Sequence, residues 1–432
     1  MVTIHYYNEL IYEVEVMGND KRRVVITGMG VISCIGKDLA TFWNALTEGK
    51  SGIGMVEGFD TTNFDVKIGG EVKDFNPEDY GITKKDVRRL DRYLQFAIAS
   101  ATLAFEDSQL TVTDENRENI GVCVSTGIGG LATFEKQHAI LLEQGPSRVS
   151  PFFIPMMIPN MSSGHISIKF GIKGPNFSVI TACATGCHSI GESFRVIARG
   201  EADVMLAGGT EAAITPTPYA GFSNMNAISA NKNDPKTISR PFDAKRDGFV
   251  MSEGGAVLVL EELEHALARG AKIYGEIVGF GMSADANHIT NPCPDGSGAA
   301  RAMEQALKDA GISPADVAYL NAHGTSTPAG DIAETVAIKR VFGKHAYDIN
   351  ISSTKSTTGH ALGAAGAVES IACIMAIKTG IIPPTINYEY PDPECDLNFT
   401  PNVAVKRDIK YALNNSFGFG GQNAVLAYKK YE

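Results

Sequence analysis

Val179-Ile180-Thr181-Ala182-Cys183-Ala184-Thr185-Gly186-Cys187-His188-Ser189-Ile190 decides how the chain is read. Its β-branched start follows a Gly174-Pro175 turn, as a buried strand would, and beyond it Phe194, Ile197 and Ala198 recur at helical spacing. Cys183 is therefore expected where a strand turns into a helix. The free N–H groups and positive dipole end of such a helix favour a thiolate, which predicts a lowered thiol pKa, and the same amides suit an oxyanion. A lone cysteine is more often a small buried hydrophobe. Haem attachment through C-x-x-C-H does not fit, because Cys183 to His188 contains one residue too many. A redox or metal centre on Cys183, Cys187 and His188 is the non-enzymatic rival, and a strand-to-helix turn would aim those three side chains apart.

Three further stretches put chemistry in glycine- and hydroxyl-rich turns: Asn321-Ala322-His323-Gly324-Thr325-Ser326-Thr327, Lys355-Ser356-Thr357-Thr358-Gly359-His360 and Asn415-Ser416-Phe417-Gly418-Phe419-Gly420-Gly421. In order with Cys183, they resemble the active site of the elongating 3-oxoacyl-[acyl-carrier-protein] synthases, condensing enzymes of the thiolase-like superfamily, and most strongly the synthase II branch. The likeness runs from about Lys21 to Lys430 and includes the segment from Pro241 to Glu262.

The resemblance implies an α/β protein with a thiolase-like five-layer α-β-α-β-α fold from two duplicated halves, normally a homodimer. Residues 21–271 would form the half with the nucleophile and residues 272–432 the half with both histidines. It implies an acyltransferase of fatty acid elongation, with a polyketide ketosynthase as the alternative. Cys183 would take the acyl group, and the backbone N–H groups of Cys183 and Phe419 would hold its oxyanion. His323 and His360 would stabilise the enolate left by decarboxylation of a malonyl thioester. Lys355 would form a buried ion pair with Glu334, with Asp331 in support. Thr290, Thr325 and Thr327 would bind the 4'-phosphopantetheine arm of acyl carrier protein, and Ile128 would stand at the far end of the acyl pocket near the dimer interface. No other cofactor and no metal is implied, and Cys293 is read as incidental. A thiolase would carry a second cysteine where this chain has Phe417-Gly418-Phe419. An initiating synthase would have asparagine in place of His360, and a non-catalytic chain-length partner would lack Cys183.

The 432 residues are 44% hydrophobic and 20% charged, an ordinary soluble composition with ample sequence for a large core. A net charge of −11 argues against nucleic acid as a partner. The sequence is read as lacking an apolar run that would span a bilayer, and seven cysteines without zinc-like pairs suit a reducing, cytoplasmic setting. Residues 1–20 are acidic and aromatic and look like no signal peptide; they are expected to be an extension from an upstream start or added sequence, with Met1 to Val16 dispensable, and a real strand-like segment is the alternative.

Arg22 to Gly30 reads as a buried strand ending in Gly-x-Gly, followed by a helix over Asp38 to Leu46. Tyr274 to Gly281 repeats the apolar-then-Gly-x-Gly form midway along the chain, which predicts an internal duplication. Lys84, Lys85, Arg88, Arg89 and Arg92 oppose Val87, Leu90, Leu94 and Ile98, predicting one amphipathic helix whose basic face would steer an acidic carrier protein. Asn119 to Gly130 reads as a strand and glycine loop, and Pro151 to Pro159 as an ordered apolar connection at a pocket or subunit interface. Ser313-Pro314-Ala315-Asp316 starts a helical turn before a strand at Tyr319-Leu320-Asn321 that would deliver His323 at its C-terminal end.

Overall fold

The computed structural model describes residues 22–432; the expectation for residues 1–20 lies outside them. Nine strands form one sheet in the order Ile120–Ser125, Val204–Glu211, Gly254–Glu262, Val24–Ile32, Gly275–Ala284, Gln422–Lys429, Tyr411–Gly418, Val317–Asn321 and Asn350–Ser352. The sheet is two similar halves joined by a narrow seam, since Val24–Ile32 meets Gly275–Ala284 only over Val24 to Ile26. Outward from that seam, each half runs through two antiparallel pairings and then a parallel one. A last parallel step follows: a single bridge between Val122 and Asn176 in the first half, and the Asn350–Ser352 strand in the second.

The helices complete five layers. Arg92–Ser108 and Met161–Phe170 cover one outer face, Ser297–Ala310 and Pro328–Phe342 the other, and Thr185–Ala198 and Ala365–Thr379 lie between the half-sheets. Most central strand residues are buried on both faces, so the strands read as continuous apolar runs rather than alternating ones. Each half repeats one packing device. Side chains at Gly28 and Gly30 would come within 2.3 and 2.1 Å of the carbonyls of Ala104 and Ser100, and at Gly279 and Gly281 within 2.3 and 2.0 Å of those of Ala306 and Ala302. Gly-x-Gly therefore seats a helix against mid-strand and does not end the strand, which continues to Ile32.

The Leu39–Thr47 helix starts on its Asp38 cap and buries Phe42, Trp43, Ala45 and Leu46, as its spacing predicts. The single basic helix over Lys84 to Ile98 does not form. A short helix, Lys84–Val87, stops, and Asp91 in extended conformation caps a new one at Arg92. Asp91 is fixed there because its carboxylate also accepts from the Thr133 amide (3.0 Å) and hydroxyl (2.6 Å). One segment, Leu362–Thr379, is after all apolar and long enough to cross a membrane, but 83% of it is buried inside the protein. It is apolar all round because its helix is the middle layer and is surrounded by protein.

Candidate active site

Segment 177–181 belongs to no named strand, so the strand expected before Cys183 is reduced to the bridge at Asn176. Cys183 sits in a 3-10 turn, Ala182–Ala184, that feeds the Thr185–Ala198 helix. Ala182 takes a positive φ of 50°, a left-handed conformation that costs a non-glycine residue roughly 1–2 kcal/mol. The turn is held by the Ala184 amide on the Thr181 carbonyl (3.0 Å), by the Ser416 hydroxyl on the Cys183 carbonyl (2.9 Å), and by His188. Nδ1 of His188 lies 2.9 Å from the Thr181 hydroxyl and 3.2 Å from the Ala184 carbonyl. His188 is thus a brace that the sequence reading weighed only as a metal ligand. Cys187 points elsewhere, toward the Gly366 carbonyl. Among the described residues no three His, Cys, Asp or Glu side chains converge to hold a metal.

The Cys183 thiol is pushed up to about 12, not down. At 9% exposure, desolvation of the thiolate outweighs the opposing pull of Lys355 and of N–H donation from Phe419 and Cys183, while the nearby Glu211 carboxylate adds to the rise. The backbone that carries Phe419 approaches the turn so closely that a side chain at Gly418 would stand 2.5 Å from the Thr181 carbonyl and 3.3 Å from the Cys183 nitrogen.

His323 follows the Val317–Asn321 strand, as expected, after a 3-10 turn fixed by the Ser313–Asp316 capping box. Its loop is clasped by Glu334, whose carboxylate accepts from the His323 amide (2.8 Å), the Gly324 amide (2.7 Å) and Asn415 Nδ2 (3.0 Å). His360 is held through its backbone, by its amide on the Val250 carbonyl (2.7 Å) and its carbonyl to the Ser252 amide (2.9 Å). The two imidazoles meet edge to face with centroids 5.4 Å apart, and Phe249 and Phe417 flank them. Both ring nitrogens of His360 and Nδ1 of His323 have no partner among the described residues. Burial first, then the Lys355 charge, holds both rings well below the usual histidine range, so they are neutral.

Lys355 corrects one expectation. Its ammonium is paired with Glu369, not with Glu334, because the Lys355–Thr358 turn packs against the middle-layer helix that carries Glu369. Lys355 and Glu369 are 1% and 2% exposed, and burial raises the Glu369 carboxyl to about 7 against the opposing pull of Lys355. Glu369 lay in an apolar helical pattern, and no motif marked it. Asp331 is also buried and raised to about 7 by desolvation. It accepts from the Phe242 (2.7 Å) and Ser326 (3.2 Å) amides and lies 3.4 Å from Arg246, so it fixes loops and stays off the cavity wall.

One cavity of about 510 Å³ gathers most of the predicted residues: Cys183, His323, His360, Phe419, Thr290, Thr325, Thr327, Ile128 and Glu334 all line it. The Thr325 and Thr327 hydroxyls are 3.0 Å apart. Cys293, read as incidental, lies on the same wall, its thiol 3.0 Å from Asp295 Oδ1. Glu211 lines it too and no sequence pattern pointed to it. Lys84, Lys85, Arg88 and Arg89 stand outside, all exposed, with the Arg89 guanidinium 4.5 Å above the Phe152 ring.

Residues 21–266 match the family model of the beta-ketoacyl synthase N-terminal domain, and residues 274–389 that of the C-terminal domain. The chain is 54% identical to 3-oxoacyl-[acyl-carrier-protein] synthase 2 of Synechocystis sp. over 96% of its own length and 99% of the relative's. It is 53% identical to the synthase 2 of Staphylococcus aureus over 96% and 100%. Among solved structures it is similar to a ketosynthase in complex with a type II PKS acyl-carrier protein (TM-score 0.88, 36% identity, 95% of this chain and 100% of that one). A beta-ketoacyl synthase from Burkholderia phymatum gives a TM-score of 0.87 at 35% identity over 95% and 100%.

Proposed function

The chain belongs to the beta-ketoacyl synthase family, and from that membership and the lining of its cavity we propose the course of the condensation it catalyses in fatty acid elongation. The Cys183 sulfur attacks the carbonyl of an acyl thioester, the carrier thiol leaves with a proton, and the acyl group stays on Cys183. A malonyl thioester then loses carbon dioxide, and the electron pair of the broken bond becomes an enolate. Its oxygen accepts hydrogen bonds from neutral His323 and His360. The enolate carbon attacks the acyl-Cys183 carbonyl, whose oxyanion is held by the Cys183 and Phe419 amides, and the Cys183 thiolate leaves and takes up a proton. The high thiol pKa fits a free enzyme that keeps its nucleophile protonated until a substrate is in place. Burial, with the charge of Lys355 adding to it, keeps both imidazoles neutral, so that each donates an N–H to the enolate without carrying a charge of its own.

What carries this reading is the convergence of Cys183 with two histidines, of which His360 at both ring nitrogens and His323 at Nδ1 have no partner among the described residues. Substrates would arrive on the phosphopantetheine arm of acyl carrier protein, past Thr290, Thr325 and Thr327, with no other cofactor. Exposed Lys84, Lys85, Arg88 and Arg89 suit that acidic partner. Phe134, Leu142, Ile154 and Ile168 are large apolar side chains left exposed in one chain, which supports a homodimer. The halves divide at residues 271 and 272, where the second copy of the fold begins. Fatty acid elongation is preferred to polyketide synthesis because the synthase 2 relatives are 53 and 54% identical and the polyketide ketosynthase 36%. The test is mass spectrometry after incubation with acyl carrier protein: the acyl mass is expected on Cys183 and absent from Cys183→Ala. Acylation at another cysteine overturns the assignment.

A further inference from the structure

Glu211 ends the Val204–Glu211 strand, is fully buried, and has no part in the chemistry above. Its carboxylate gathers four donors from two separate segments. Oε1 accepts from the Thr126 hydroxyl (2.7 Å) and the Ile128 amide (3.4 Å), and Oε2 from the amides of Gly127 (3.0 Å) and Gly363 (3.1 Å). The segments are pressed together at this point. A side chain at Gly363 would fall 2.3 Å from the Gly127 nitrogen, and one at Gly127 only 3.2 Å from the carbonyl of Ala182, the residue before the nucleophile. Ile128, the bulky side chain on this turn, faces the cavity that holds Cys183.

We propose that Glu211 is a specificity-determining positioning residue: its carboxylate clasps the Thr126–Ile128 turn to the Gly363 turn, so that the longest acyl chain admitted is set by this clasp together with the bulk of Ile128. The proposal rests on the reading that Cys183 carries the acyl chain. Chemistry supports a carboxylate in particular. Three of the four donors are backbone N–H groups that cannot turn away; burial pushes the carboxyl up to about 7 against their pull, and only its ionised form offers acceptors alone. A glutamine of the same shape must set its NH₂ against an N–H, which frees the turn without emptying the site.

The experiment measures kcat/KM for a short and a long acyl primer in wild type, Glu211→Gln, Ile128→Ala and the double variant. Loosening the clasp is expected to raise the long-to-short ratio about tenfold in Glu211→Gln, the effect of one hydrogen bond to a charged group. In the Ile128→Ala background the same change should do nothing further to the ratio, because the wall it releases is already gone. A uniform loss at both lengths, or an equal shift in both backgrounds, overturns the proposal. If Glu211→Gln does not fold, Thr126→Val decides: it removes one donor and leaves the carboxylate, and an unchanged ratio refutes the clasp. Failure of the parent reading is seen separately, as wild-type protein that elongates neither primer.

Discussion

Gly418→Ala tests the oxyanion geometry without touching a reacting group. Gly418 lies outside the positive-φ region, so the change adds no backbone strain and acts only through volume. The new methyl carbon would lie 2.5 Å from the Thr181 carbonyl, roughly 0.9 Å short of an ordinary contact at 3.4 Å. Thr181 cannot yield alone, because its carbonyl accepts from the Ala184 amide and its hydroxyl contacts His188. The strand end must therefore swing away and take the Phe419 N–H with it. A displacement near 1 Å at a reacting centre costs about 100-fold, and loss of one oxyanion donor about 100- to 1,000-fold. Single-turnover acyl transfer to Cys183, followed by mass spectrometry, should slow by about that range. Decarboxylation of malonyl carrier protein, which relies on the histidines, should change far less. Acyl transfer within about threefold of wild type, with the melting temperature unchanged, would refute the reasoning, since that small an effect is under 1 kcal/mol.

His360→Ala should still accept acyl groups on Cys183 but release carbon dioxide from malonyl carrier protein about 100- to 1,000-fold more slowly; normal release would remove His360 from the enolate's partners. Alkylation of Cys183 by iodoacetamide in the free protein should rise about tenfold per pH unit from about pH 7 to 9, because burial holds the thiol pKa above that window; a plateau there would show that the helix end wins after all. Lys355→Met should cost about 3–5 kcal/mol by leaving Glu369 buried alone. Unpaired, Glu369 holds its proton in the folded state to higher pH than in the unfolded state, so thermal melts should show this variant losing stability relative to wild type as pH rises; an equal loss at every pH would be the contrary result. Lys85→Glu with Arg89→Glu should raise KM for carrier-bound substrate and weaken its salt dependence while sparing small pantetheine thioesters, and an equal loss on both would point to misfolding.

The residues that touch substrate in this reading were legible because each sits in a turn whose composition is unusual: glycines and hydroxyls around Cys183, His323, His360 and Phe419. The residues that hold them were not. Glu369 and Glu211 are single acids at the end of, or within, apolar runs, and their partners lie 14 and about 80 to 150 positions away in sequence. Only the packed fold brings such pairs together. The basic helix failed for a related reason. Periodicity carried the pattern through Asp91, but that side chain gains more from Thr133, across the fold, than from the helix its neighbours would have formed. The direction of the Cys183 shift failed because a helix terminus can be read from spacing, whereas the depth of burial that opposes it cannot.

The two half-folds also carry matching turns ahead of their middle-layer helices. Leu362, at φ 48°, repeats Ala182 at φ 50°, and the Ala364 amide on the Ala361 carbonyl (2.9 Å) repeats that of Ala184 on Thr181. At the place of the nucleophile, the second turn has Gly363. Any side chain there would collide with Gly127, and its amide is already engaged by Glu211. A thiol placed at Gly363 would need the Gly127 turn and Glu211 to change with it, so the chain has room for one reaction centre at its paired turns, and the second turn serves as scaffolding for the first.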